Sequence, residues 1–217
     1  MSIPGKAAPQ IVRPAKKQLF PVMGSGPSPS PDLPETARFA GPQYPERGVE
    51  MILVYTGNGK GKTTACLGQV IRALGRGMRV GFAQFIKKDG EAGEQFYLRQ
   101  HLGENFLAGG RGFFLNEGQR PEHRDAAENT LAWAKQKMDE LDLLILDEIL
   151  CAMDHGLIVK TEVNDLLELS RKKNCHLILS GRGFPDEMKD DVDLITEMVE
   201  IKHHWQKGIP AVKGLDY

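Results

Sequence analysis

The sequence has only three cysteines in 217 residues, Cys66, Cys151 and Cys175. Their wide spacing and odd number give neither a disulfide framework nor the close pairs of a structural metal site. They read as small buried side chains in a reducing compartment. Also missing is any apolar run near the roughly 18 residues that would cross a bilayer, and the first 30 residues lack the continuous apolar core of a secretory signal. No membrane association is expected, and the location expected is cytoplasmic. Charge of one sign is absent too. With 28 Lys and Arg against 29 Asp and Glu, the net charge is -1. Such a balance sets up no field to attract nucleic acid, so no nucleic-acid partner is expected.

Proline is abundant only at the start, with ten of thirteen in the first 45 residues. There "GSGPSPSPDLP" carries neither helical nor strand periodicity, so residues 1–47 read as a Pro-rich flexible tail. Its role is either that of an inert linker or that of a lid over a site. Residues 48–217 form the expected domain. "MILVYT" (51–56) predicts a buried strand, followed by a helix over 62–74 that stops at Gly75 and Gly77. Further strands are predicted at 79–86, within 105–115 before a glycine-rich loop, at 142–149, at 176–181 and at 194–201. A helix from Pro121 to about Glu140 presents Ala127, Leu131, Ala134 and Met138 on one face, and another covers about 162–171. Apolar strands alternating with helices imply an α/β domain on a mostly parallel, doubly wound sheet. Ligands of such sheets bind at the carboxyl ends of the strands.

Three motifs fall at such ends: the loop "TGNGKGKTT", Asp147-Glu148 and Gly181-Arg182. Gly57, Gly59 and Gly61 allow the loop backbone to approach an anion, and the helix beginning at Lys62 aims amide groups and its positive dipole end there. Lys62 is placed for phosphate oxygens and the Thr63 hydroxyl for Mg²⁺, with Asp147 and Glu148 as metal-binding carboxylates. ATP is the expected ligand. The loop is one residue shorter than the usual phosphate-binding pattern, with Asn58, Gly59 and Lys60 alone between Gly57 and Gly61-Lys62-Thr63. On these residues the reaction stays open between transfer at phosphorus, with Arg182 or Arg72 stabilising charge, and other uses of ATP. Phe113 and Phe114 read first as a core anchor.

From about Gly48 to Tyr217 the sequence resembles the P-loop type of ATP:corrinoid adenosyltransferase. The resemblance lies in the short loop, "RALGRGMRVGFAQFIK", "LLILDEI", "LSGRG" and the ending "TEMVEIKHHWQKGIPAVKGLDY". It implies a three-layer, P-loop NTPase-like fold and attack by the cobalt of a reduced Co(I) corrinoid on the 5′ carbon of ATP, with triphosphate as leaving group. By resemblance, Gly57, Asn58, Gly59, Lys60, Gly61, Lys62, Thr63 and Thr64 bind nucleotide, Arg72 and Arg182 occupy the family's arginine positions, and Lys202 and His203 belong to the closing motif. Phe113 falls on the phenylalanine that presses beneath the corrin ring, whereas Leu115 stands where many members have tryptophan. The resemblance further implies cobalamin or a precursor as substrate, Mg²⁺, an electron-donor protein such as a flavodoxin or flavin reductase, and a homodimer. The rivals are a P-loop kinase or ATPase and a non-catalytic ATP- or corrinoid-binding carrier.

Overall fold

Strands and helices alternate through residues 50–113 and 116–217, the residues that the computed structural model describes. The expected tail over 1–47, Phe114 and Leu115 lie outside the described residues. Strands β1 (Ile52–Thr56), β2 (Val80–Lys88), β3 (Phe106–Gly110), β4 (Leu143–Asp147), β5 (His176–Ser180) and β6 (Leu194–Glu197) form one sheet in the order β3-β2-β4-β5-β1-β6. Every pairing is parallel. Helices α1 (Lys62–Leu74), α2 (Gly93–Leu102), α3 (Arg120–Lys137), α4 (Ile149–Asp154) and α5 (Lys160–Lys173) complete the described part.

The period-2 alternation of each strand sorts its side chains between two cores. Ile52, Val54, Leu144, Leu146, Leu177 and Leu179 pack with Ala127, Leu131 and Ala134 of α3 and with Val163, Leu166 and Leu167 of α5. Tyr55, Phe82, Ile145 and Ile178 face the other way, against Cys66, Val70 and Ala73 of α1 and Leu98 and Leu102 of α2. The domain is therefore three layers deep, as expected. The helical face named from the sequence is the buried one: Ala127, Leu131, Ala134 and Met138 are at most 4% exposed.

Three local expectations need correction. The strand expected over 142–149 ends at Asp147, because Glu148 adopts a left-handed conformation (φ 64°) and Ile149 opens α4. The strand expected to reach Ile201 ends at Glu197, and all four of its residues are exposed at the sheet edge, not buried on both faces. Helix α2 has no counterpart in the sequence reading. Its buried positions are Gln95, Leu98 and Leu102, while the neighbouring Phe96 and Tyr97 are exposed, so its apolar residues follow no helical period. Cys66 and Cys175 are buried and Cys151 half-buried. Burial pushes the Cys175 thiol up to about 12, so it stays a thiol at neutral pH.

The order of strands decides what meets what. β5 separates β1 from β4, so the loop after β1 and the carboxyl end of β4 face each other across the end of β5. Registers Leu146 with Leu179 and Gln84 with Asp147 bring Ser180, Asp147 and Gln84 to one level.

Candidate active site

The loop after β1 is held from one side by the chain that follows β6. Met198 N–H donates to the Thr56 carbonyl (2.8 Å), and Gly59 N–H donates to that of Met198 (2.7 Å). The approach leaves no room for side chains. A Cβ on Gly57, whose φ is +98°, would run into the Met198 carbonyl, and one on Gly59 would lie 2.8 Å from the same oxygen. The compact loop is thus a backbone-to-backbone fit that glycine alone permits.

Helix α1 begins directly beyond it. Its first internal hydrogen bond is from Ala65 N–H to the Gly61 carbonyl (2.8 Å). The amides of Lys62, Thr63 and Thr64 precede that ladder, and these residues line a cavity of about 650 Å³. The Lys62 ammonium donates to the carbonyls of Gly57 (2.7 Å) and Gly59 (2.8 Å), which sets it at the inner rim of the loop. Burial, with the nearby Arg182 guanidinium, holds its pKa below the ordinary lysine value. An anion in the cradle would reverse that shift.

Facing the loop is Asp147, fully buried at the end of β4. Its carboxylate accepts hydrogen bonds from Ser180 Oγ (2.6 Å), Gln84 Nε2 (3.1 Å) and Thr63 Oγ1 (3.2 Å). Ser180 Oγ also accepts the Glu148 N–H at 3.1 Å, fixing the turn into α4. The Lys87 ammonium lies 3.1 Å from Thr63 Oγ1, 3.4 Å from Asp147 Oδ2 and 2.8 Å from Glu94 Oε1. Glu148 lines the same cavity. Burial first, and the Asp147 charge second, raise its carboxyl above the usual glutamate value. A carboxylate so placed gains from a cation.

The structure brings Asn58, Lys60, Lys62, Thr63, Thr64, Glu148, Arg182 and His203 to one cavity. It does not bring Arg72 there. That residue is exposed in the last turn of α1, ten residues beyond Lys62, or about 15 Å along the helix at 1.5 Å per residue. Lys202 is exposed beside the cavity residue His203. Phe113, expected from its glycine neighbours to anchor the core, is 86% exposed beyond β3.

Several residues of the site went unnoticed in the sequence. Gln84 and Lys87 are polar positions in the apolar strand "VGFAQFIKK", a contrast that could have flagged them. Ser180 stands at the end of β5, within a motif noticed for its glycines. Asp216 was hidden in the terminal motif. It forms an ion pair with Lys60, whose ammonium also donates to the Leu215 carbonyl (2.6 Å). Its second oxygen accepts the Val212 N–H (2.7 Å), so one carboxylate both shapes the terminal turn and clips it to the phosphate loop. Gly214 to Tyr217 thereby form part of the cavity wall.

The hydrogen bond from Lys60 holds the Asp216 carboxyl below its usual range. The clip is therefore complete at neutral pH and is lost as pH falls through that lowered value. Asp216→Asn is expected to remove the ion pair at neutral pH and make tryptic cleavage at Lys207 and Lys213 severalfold faster. Unchanged cleavage would show that the turn is held without the clip.

A cradle of amides and a lysine lines the cavity, and the strand-end aspartate lies buried behind it, accepting the Thr63 hydroxyl. A parallel α/β protein with that device is a P-loop nucleotide-binding protein. Within that class the chain belongs to the ATP:corrinoid adenosyltransferase family (BtuR/CobO/CobP), whose profile matches residues 48–217. It is 38% identical over 177 residues to a corrinoid adenosyltransferase of Pseudomonas aeruginosa, covering 79% of this chain and 85% of that protein. It is 35% identical over 174 residues to the corrinoid adenosyltransferase of Escherichia coli K12, covering 79% and 87%. Among solved structures, the flagellar accessory protein FlaH of Methanocaldococcus jannaschii aligns at 13% identity over 68% of this chain and 70% of that one, with a TM-score of 0.43. The activity that comes with family membership is ATP-dependent adenosylation of a corrinoid.

Proposed function

We propose that the cavity holds the triphosphate of ATP as a leaving group while the ribose 5′ carbon faces the cobalt of a Co(I) corrinoid. The electron pair of cobalt forms the Co–C bond, the C5′–O bond breaks, and its pair departs on the triphosphate. Co(I) has no proton to lose, so the site needs no general base. It must align the reactants and stabilise the charge gathering on the leaving oxygens. Lys62, the loop amides and Arg182 supply that stabilisation. The observation that carries the reading is their convergence with Thr63 and Glu148 on one cavity.

The oxygen donors of Thr63, Asp147 and Glu148 suit Mg²⁺. The Lys87 ammonium already rests among Thr63, Asp147 and Glu94 as a cation would. Among the described residues no group of three or more His, Cys, Asp or Glu forms a metal cage. When bound there, Mg²⁺ would add positive charge beside the triphosphate.

Phe113 serves as an aromatic contact beneath the corrin ring. Its exposure leaves the ring available for that contact. Lys202 and His203 extend the corrinoid side. In keeping with the family, the protein works as a cytoplasmic homodimer on cobalamin or a precursor, supplied with electrons by a flavodoxin or flavin reductase. Leu115, outside the described residues, takes the place of the tryptophan.

An anaerobic reaction of chemically reduced cob(I)alamin with ATP and Mg²⁺ tests the reading. Triphosphate and light-sensitive adenosylcobalamin are expected in equal yield, and neither without the protein. Release of ADP would point to transfer at phosphorus, and binding of both substrates without turnover would point to a carrier.

A further inference from the structure

Lys87 lines the same cavity as Lys62, yet adenosyl transfer as described leaves it no part beyond its place in the acidic cluster. We propose that Lys87 is a second triphosphate-binding lysine, held ready by Glu94. The proposal rests on the adenosyl-transfer reading and names a further residue for the same leaving group.

Glu94, which fixes the ammonium, lies in the first turn of α2, where the helix dipole favours a carboxylate. It accepts from Lys87 Nζ at 2.8 Å and from Gln84 Nε2 at 3.3 Å. Gln84 Oε1 accepts from Gln95 Nε2 at 2.8 Å, and Gln95 Oε1 accepts the N–H groups of Glu91 and Ala92. Gln84 and Gln95 are at most 1% exposed. Burying two amides is costly unless their hydrogen bonds are made. Here they are made by a chain that runs from the start of α2 to the Lys87 ammonium.

A counterion for Asp147 would need no access to the cavity. Lys87 has it: its side chain is 26% exposed, while that of Asp147 is fully buried. Lys87 thus shares a cavity wall with Lys62 and the loop, which direct an anion into that space. Its contact with Asp147 is the longest of its three, at 3.4 Å. A four-carbon stem lets it move to a phosphate oxygen while strand β2 stays in place. As the C5′–O bond breaks and its electron pair leaves on the triphosphate, a second fixed cation stabilises the charge as it forms.

The test separates the phosphate chain from the nucleoside. Binding of inorganic tripolyphosphate and of adenosine to the full-length protein is measured by calorimetry with Mg²⁺ present, for wild type, Lys87→Met, Lys87→Arg and Glu94→Gln. In Lys87→Met, tripolyphosphate affinity is expected to fall about 10- to 100-fold, the value of a charged hydrogen bond, with adenosine affinity unchanged. Lys87→Arg should restore most of the loss, and Glu94→Gln should show a smaller one. Wild-type tripolyphosphate affinity in a cooperatively melting Lys87→Met protein would overturn the proposal. If that variant does not fold, Lys87→Gln is measured in its place, and wild-type affinity there would overturn the proposal equally. Failure of the wild type itself to bind tripolyphosphate would overturn the leaving-group reading and this proposal with it.

Discussion

Lys62→Ala is expected to lower kcat/KM for ATP by about 100- to 1,000-fold, the scale on which a single preorganised donor to a developing anion acts. That corresponds to about 3–4 kcal/mol of transition-state stabilisation. The effect on folding should be much smaller. In the protein the ammonium touches two loop carbonyls, those of Gly57 and Gly59. Their loss exposes carbonyls at the rim of an open cavity, where water can replace the donor, so about 1 kcal/mol is the expected stability cost. The loop itself is held by other means, through Gly59 N–H and the Met198 carbonyl. Steady-state kinetics beside a urea melt would separate the two effects. A loss of stability equal to the loss of activity would mean that Lys62 holds the loop together and does not grip the leaving group.

Asp147 behaves in the opposite way. In Asp147→Ala both activity and folding should suffer, with stability falling by about 3–5 kcal/mol, the cost of leaving a buried charge network without its partner. The carboxylate is wholly inaccessible and receives Ser180, Gln84 and Thr63. Its removal leaves those donors facing a void and the Lys87 ammonium with Glu94 as its remaining carboxylate contact. Glu148→Ala provides the contrast. Burial and the Asp147 charge already disfavour the Glu148 carboxylate, so its removal relieves strain in the metal-free protein while it removes a cavity carboxylate. Stability unchanged or higher, with activity lost, is the expected outcome. The urea midpoint at constant m-value is the measurement for both variants. An Asp147→Ala protein as stable as wild type would show that the network contributes little to the fold.

An apolar period between two glycine signals predicts helix α1 over 62–74, the span that forms. Strands β1, β4 and β5 were legible because each is an apolar run short enough to be a strand and bounded by turn residues. Helix α2 was not, since its contribution to the core is two leucines and a buried glutamine. Among the candidate residues, Lys62, Thr63 and Glu148 line one cavity, and Asp147 lies buried behind Thr63. Arg72 was carried over from the resemblance, and the fold puts it at the far end of α1.

The class of fold, the place of the phosphate loop and the strand-end carboxylates are legible along the chain, because each is written locally, in periodicity, glycine spacing and a helix start. What those parts touch depends on how the strands and turns pack. The insertion of β5 between β1 and β4 set Ser180 between the loop and Asp147. The turn after β6 put the Met198 carbonyl against Gly59, and the terminal turn put Asp216 on Lys60. Helix α2 brought Glu94 to the Lys87 ammonium. Such contacts join residues far apart in the chain, and no local pattern encodes a partner whose position depends on the order in which strands pair.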